Sequence, residues 1–234
     1  MFKNKLIIII IYTLICLPCS AKQTIFNVPS ADITEKGHLF LQQEAQWTAW
    51  GEDAFFVGTT FAAYGIGHNV ELDANLFNVG APSTKNISLG VGFKAAIPVP
   101  WFKEKFPKRE LKLTIGNDVL FGLEGNGFGD WVYVHLSGRI PKVNTRLTAG
   151  ISYGTRQVFG IDQLAFIAGV EQPINEQWGL LADWYSGSEH WAGYLIVGAN
   201  YNFPKNTTLY VGYQIPNSPK IGPSGFVIQL AKIF

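Results

Sequence analysis

Side chains two apart on a β-strand share a face, so His135-Leu136-Ser137 would set an imidazole beside a hydroxyl. A serine next to a base is the arrangement that activates a nucleophile, and acyl transfer is the chemistry such a pair performs. Glu71 and Asp73 share a strand face in the same way; with neither a calcium loop nor a sugar site beside them, they read as a hydrated wall. Gly125-Asn126-Gly127-Phe128-Gly129 is glycine-rich, but no helix follows to present amide groups to a phosphate, so the stretch reads as a loop. The four histidines, His38, His68, His135 and His190, fall on separate strands and turns without metal-ligand spacing, so neither a metal nor a cofactor is expected.

The elements that position these residues alternate with period two. In Arg146–Gly154, Leu147, Ala149, Ile151 and Tyr153 form one face and Arg146, Thr148, Gly150 and Ser152 the other. Twelve such segments follow one another, near 38–49, 55–65, 70–79, 86–97, 110–121, 131–140, 145–154, 163–172, 177–186, 190–203, 207–215 and 225–234. Gln43 and Asn117 interrupt the apolar pattern. Each segment approaches the roughly 9–11 residues that a tilted strand needs to cross a bilayer, whereas soluble strands average about 5–6. Aromatics gather at the segment ends in two girdles. Trp47, Tyr153, Trp184, Trp191, Tyr213 and Phe226 mark one rim, and Trp178, Tyr201, Phe203 and Phe234 the other.

Composition agrees. The 234 residues are 47% apolar and only 15% charged, against roughly 25% charged in ordinary soluble domains. Residues 1–21 read as a cleavable signal: Lys3 and Lys5, an apolar run from Leu6 to Leu17, then Cys19-Ser20-Ala21. Both cysteines, Cys16 and Cys19, lie in it, so the exported chain offers neither disulfide nor thiolate. Taking Lys3 and Lys5 from the 18 basic residues leaves 16 against 17 acidic ones, with no excess to hold nucleic acid. Residues 22–37 are expected as a periplasmic segment able to enter the barrel in part, and 38–234 as a single twelve-stranded antiparallel transmembrane β-barrel.

The chain closes Phe226-Val-Ile-Gln-Leu-Ala-Lys-Ile-Phe234. In this it resembles the Gram-negative outer-membrane β-barrel proteins, whose last strand alternates and ends in Phe. Phe226, Ile228, Leu230 and Phe234 match that pattern, and Lys232 departs from it. The resemblance implies an integral outer-membrane protein with both termini periplasmic, recognised by the outer-membrane assembly machinery. His135-x-Ser137 is similar to the active strand of outer-membrane phospholipase A and of the lipid A deacylases, although Gly138 stands where those families carry Asn. An outer-leaflet lipid hydrolase is therefore one alternative function, and a structural or surface barrel without transport is another.

A porin-like passive channel for small hydrophilic solutes is the favoured reading. Its expected pore-lining residues are Glu44, Glu71, Asp73, Lys94, Lys112, Asp118, Arg139, Arg146, Glu171, Asp183 and Asn200. Lys94, Lys112, Arg139 and Arg146 fall on consecutive strands near one rim, and Lys112 and Arg139 have no acid at their level on an adjacent strand. A modest preference for anions follows as an expectation. The sequence leaves oligomeric state open. Between Pro98 and Glu110, Trp101, Phe102 and Phe106 among Lys103, Lys105, Lys108 and Arg109 suggest a segment lying on the membrane surface.

Overall fold

A computed structural model describes residues 22–48, 55–79, 87–106, 109–123, 125 and 127–234. The signal at 1–21, Lys108 and the loop tips at 51–53 and 80–85 lie outside the described residues. Twelve strands form one closed antiparallel barrel in which each pairs with its sequence neighbours and the first pairs with the last. They are β1 (Leu39–Thr48), β2 (Phe55–Gly67), β3 (Val70–Val79), β4 (Ser88–Pro98), β5 (Leu111–Gly122) and β6 (Phe128–Arg139), then β7 (Arg146–Gly154), β8 (Leu164–Pro173), β9 (Trp178–Tyr185), β10 (Tyr194–Phe203), β11 (Thr207–Pro216) and β12 (Gly225–Ile233). Closure is sealed where Phe234 N–H donates to Leu39 O at 2.8 Å. We call the end where β1 begins and β12 ends the terminal rim, and the opposite end the far rim.

Alternation does what it promised. Leu147, Ile151, Phe166, Val170, Leu195 and Val197 are all exposed on the outer face, while their neighbours turn inward. The two polar interruptions are satisfied locally. Gln43 accepts from Thr60 Oγ1 at 2.7 Å across the β1–β2 pair, and Asn117 Nδ2 donates to Trp131 O at 3.2 Å. At the terminal rim a two-residue turn places His68 and Asn69 at positive φ, and a three-residue turn, 204–206, does the same with Lys205 and Asn206. The rims carry the expected ring clusters: Tyr213 and Trp47 on Phe226 at 5.4 and 5.7 Å, and Tyr201 on Trp178 and Phe203 at 4.8 and 4.6 Å.

Two short helices interrupt the rims. α1 (Pro100–Lys105) stands at the terminal rim with Trp101 63% exposed and Arg109 4.9 Å above the Phe106 ring. α2 (Arg156–Phe159) folds inward at the far rim and buries Phe159 against His190, ring to ring at 4.9 Å. β10 starts at Tyr194 rather than 190, because the His190 ring ties off a loop. Its Nε2–H donates to Ser186 O at 2.6 Å, and Nδ1 accepts from Ala192 N–H at 3.2 Å. Burial outweighs that bond and holds the imidazole below its ordinary pKa, so it is neutral at pH 7.

Ile151→Arg should cost about 2–4 kcal/mol of barrel stability, the penalty for a guanidinium near mid-bilayer on the lipid face. The lumen-facing control is Asn200→Arg, since Asn200 borders open space. Ser152 is unsuitable, because its hydroxyl is packed beneath Trp131 Nε1 at 2.8 Å. Urea unfolding from micelles should separate the two variants; equal midpoints would sink the assigned facing.

Candidate functional site: a lumen closed by the chain's own N-terminal hairpin

Residues 22–37 do not stay below the barrel. Residues 22–31 run up the lumen and back as a hairpin, with Thr24 bridged to Pro29 and Ile25 N–H donating to Val28 O at 2.7 Å. Ile25, Phe26 and Val28 are fully buried. The entry that the sequence allowed for has a plain cause: this short stretch is apolar at its tip, and the wall leaves room for it. A Cβ on Gly169 of β8 would run into Ile25, and Cβ atoms on Gly198 of β10 and Gly212 of β11 would come within 2.8 Å of the Phe26 ring. At Gly169 and Gly212 the plug fills the space that a side chain would occupy, while at Gly198 the β11 backbone at Val211 O excludes one first.

Polar anchors hold the hairpin from most of the circumference. Asp183 of β9 points one carboxylate oxygen at the tip and accepts the backbone N–H groups of Phe26, Asn27 and Val28 at 2.8, 2.7 and 2.7 Å. Three convergent N–H groups make an anion nest filled by a carboxylate. Across the lumen, Gln229 Nε2 donates to Phe26 O at 3.0 Å and to Glu44 Oε2 at 2.5 Å. Glu71 accepts from Gln23 Nε2 and Thr34 N–H at 2.8 and 2.7 Å and pairs with Lys94 at 3.0 Å. Lys94 in turn donates to Lys22 O and Gln23 O at 3.2 and 3.3 Å. Arg146 pairs with Asp32 at 2.7 Å and Glu171 at 3.0 Å, and Glu171 also receives the Lys22 ammonium.

All the residues expected along the pore face inward, but they divide into groups. Glu71, Lys94, Arg146, Glu171 and Asp183 grip the hairpin. Asp73 and Asp118 are joined by Asn75, whose Nδ2 donates to both at 3.2 and 3.0 Å. Asn200 Nδ2 donates to Asn202 Oδ1 at 3.1 Å beside a small cavity of about 130 Å³ under the hairpin. Lys112 and Arg139 are not free of acids, contrary to the expectation: both bind Glu110, at 3.0 and 2.9 Å, which opens the expected fifth segment and continues the β5 register opposite Arg139. Burial works against the Glu110 charge, yet the bond from Lys112 and the charges of Lys112, Arg146 and Arg139 outweigh it and hold the carboxyl below its ordinary pKa.

Above the hairpin, toward the far rim, lies a cavity of about 860 Å³ whose lining includes Thr24, Phe26 and Asn27 from the hairpin. Its walls come from β1–β6, and α2 with the loops at 189–191 and 220–221 overhangs it. Trp191, expected only in the girdle, also lines this cavity and packs on Phe159 at 6.0 Å. His135 and Ser137 do come together, Ser137 Oγ lying 3.2 Å from His135 Nδ1 and 2.7 Å from Thr148 Oγ1. Both are buried, they face the lumen rather than lipid, and they line neither of these cavities. His135 Nε2 has no partner among the described residues, so no third group orients the ring as nucleophilic catalysis asks.

No family model and no curated protein sequence matches the chain. Solved structures do. The KdgM porin, determined in complex with disordered oligogalacturonate, aligns with a TM-score of 0.52 at 11% identity over 84% of this chain and 99% of its own. The outer membrane protein Omp33 of Acinetobacter baumannii gives 0.51 at 10% identity over 84% and 97%. This chain has the fold of an outer-membrane porin barrel. Its outer face is apolar, and the hairpin separates the two cavities of its lumen.

Proposed function

We propose that the protein is a passive outer-membrane conduit for small hydrophilic solutes, closed at rest by residues 22–37. The observation that carries this reading is the division of one lumen into a far-rim and a terminal-rim cavity by a hairpin whose own residues line both. A structural barrel would gain more by filling its interior with wall side chains, as barrels of about eight strands do. In this reading the terminal rim is periplasmic, which leaves the hairpin free to enter from the side on which the chain folds. The pore-lining role of Glu44, Asp73, Asp118 and Asn200 applies to the open state, as does that of the anchors once the hairpin has left.

The anion preference expected from unpaired Lys112 and Arg139 loses its support, because Glu110 serves both. Among the described residues the buried charged side chains are six acids (Glu44, Glu71, Asp73, Asp118, Glu171, Asp183) against three bases (Lys22, Lys94, Arg146). The reading therefore becomes a conduit that favours cations.

Planar-bilayer recordings test the closure. The chain from Lys22 onward should be almost silent, and the same protein lacking 22–37 should conduct in uniform steps. Silence in the deleted, correctly folded barrel would refute the conduit. Assembly is tested separately. Phe234 lies in the β12–β1 seam with Lys232 Nζ 4.8 Å above its ring, and its deletion should leave protein in the periplasm or degraded. A normal yield of heat-modifiable barrel from that variant would remove Phe226, Ile228, Leu230 and Phe234 as an assembly signal.

A further inference from the structure

We infer that the far-rim cavity is a binding cup for a small organic cation: an ammonium group carried on an apolar or aromatic body. The cup has a ligand's dimensions, about 860 Å³, within the roughly 300–1,000 Å³ of small-molecule pockets. Its floor is the hairpin, so a solute entering from the far rim meets a dead end rather than a passage. Among the described residues four charged side chains line it. Glu189 and Lys220 cancel each other as an ion pair at the mouth. Arg156 is exposed on α2 at the outer edge. That leaves Glu44, 3% exposed and beside the hairpin tip.

Glu44 is solvated by amides alone. Gln46 Nε2 donates to one oxygen at 2.8 Å and Gln229 Nε2 to the other at 2.5 Å. Among the described residues no lysine or arginine pairs with it, whereas Glu71 has one such partner and Glu110 and Glu171 have two each. A buried carboxylate without a counter-charge is costly, and an incoming cation would supply what the wall withholds. The surroundings suit the body of such a ligand. Phe61 and Phe77 meet edge to face at 5.8 Å on β2 and β3, and Trp131, Phe159 and the hairpin's Phe26 complete an aromatic lining. Aromatic faces attract an ammonium through the ring quadrupole and at the same time accept an apolar body. An anion would gain nothing at this floor, and a neutral polyol would forgo the charge.

Calorimetric titration of the chain from Lys22 onward in a neutral detergent, with 2-phenylethylammonium, 2-phenylethanol and 3-phenylpropanoate, tests this. The ammonium should bind at one site, the alcohol about tenfold more weakly and the carboxylate not at all. Glu44→Gln should erase the difference between ammonium and alcohol. Phe77→Leu, which touches neither Glu44 nor the hairpin anchors, should weaken the ammonium about fivefold, the loss of one ring face. Equal binding of the alcohol or the carboxylate by the native chain, a preference retained in Glu44→Gln, or no binding by any probe would overturn the proposal. Binding is read with the hairpin seated and without a bilayer, so its outcome is separate from whether the barrel conducts.

Discussion

Deleting residues 22–37 should yield a pore that passes potassium over chloride by about three- to tenfold, the bias expected where fixed charge lines a narrow low-dielectric tube. Removing the hairpin takes away Lys22 and leaves Lys94 and Arg146 as the buried lumen cations, facing Glu44, Glu71, Asp73, Asp118, Glu171 and Asp183. With the hairpin gone, the wall carries six acidic side chains against two basic ones among the described buried residues. Lys112 and Arg139 cannot reverse the sign, because Glu110 remains between them at the terminal rim. Reversal potentials under a salt gradient measure the ratio directly. Asp73→Asn with Asp118→Asn should bring it toward unity, since those two acids have no lysine or arginine partner among the described residues. Anion selectivity in the deleted barrel would show that the basic arc, and not the acid excess, governs the lumen.

The second large effect belongs to Asp183. One carboxylate oxygen holds three consecutive backbone N–H groups of the hairpin tip, so Asp183→Ala strands two buried donors and a part-buried one together. A hydrogen bond to a charged group is worth about 1.5–3 kcal/mol; three sharing one oxygen do not add fully, and about 3–4 kcal/mol in total is a reasonable figure. At 1.4 kcal/mol per tenfold, the open probability of the full-length barrel should rise by about a hundredfold or more. Asp183→Asn keeps an acceptor oxygen and loses only the charge, so it should open the barrel far less. Single-channel records give both numbers. A silent Asp183→Ala barrel would mean that the apolar seat of Ile25 and Phe26 and the remaining polar anchors hold the hairpin without it.

The wall was legible in the sequence because a strand's facing is a local property. Parity alone sends Leu147 and Ile151 outward and Arg146 and Thr148 inward, whatever the rest of the chain does. Even the interruptions at Gln43 and Asn117 changed no register, since a neighbouring strand supplied each with a partner. The contents of the lumen were not legible, because they depend on contacts between residues far apart in the chain. Phe26 meets Gln229 across 203 positions, and Asp183 meets Val28 across 155. Glu110 was missed although it opens the expected fifth segment: its level against Arg139 depended on a register that only the paired strands fixed. One trace was present. Gly169, Gly198 and Gly212 stand on the inward parity of three nearby strands, and small residues so placed marked space reserved for something. Periodicity determined that this chain is a barrel and which side chains face outward. Only the closed tertiary structure decided that the barrel is shut, because whether a hairpin fills a tube depends on the shape left between twelve strands, which no single strand encodes.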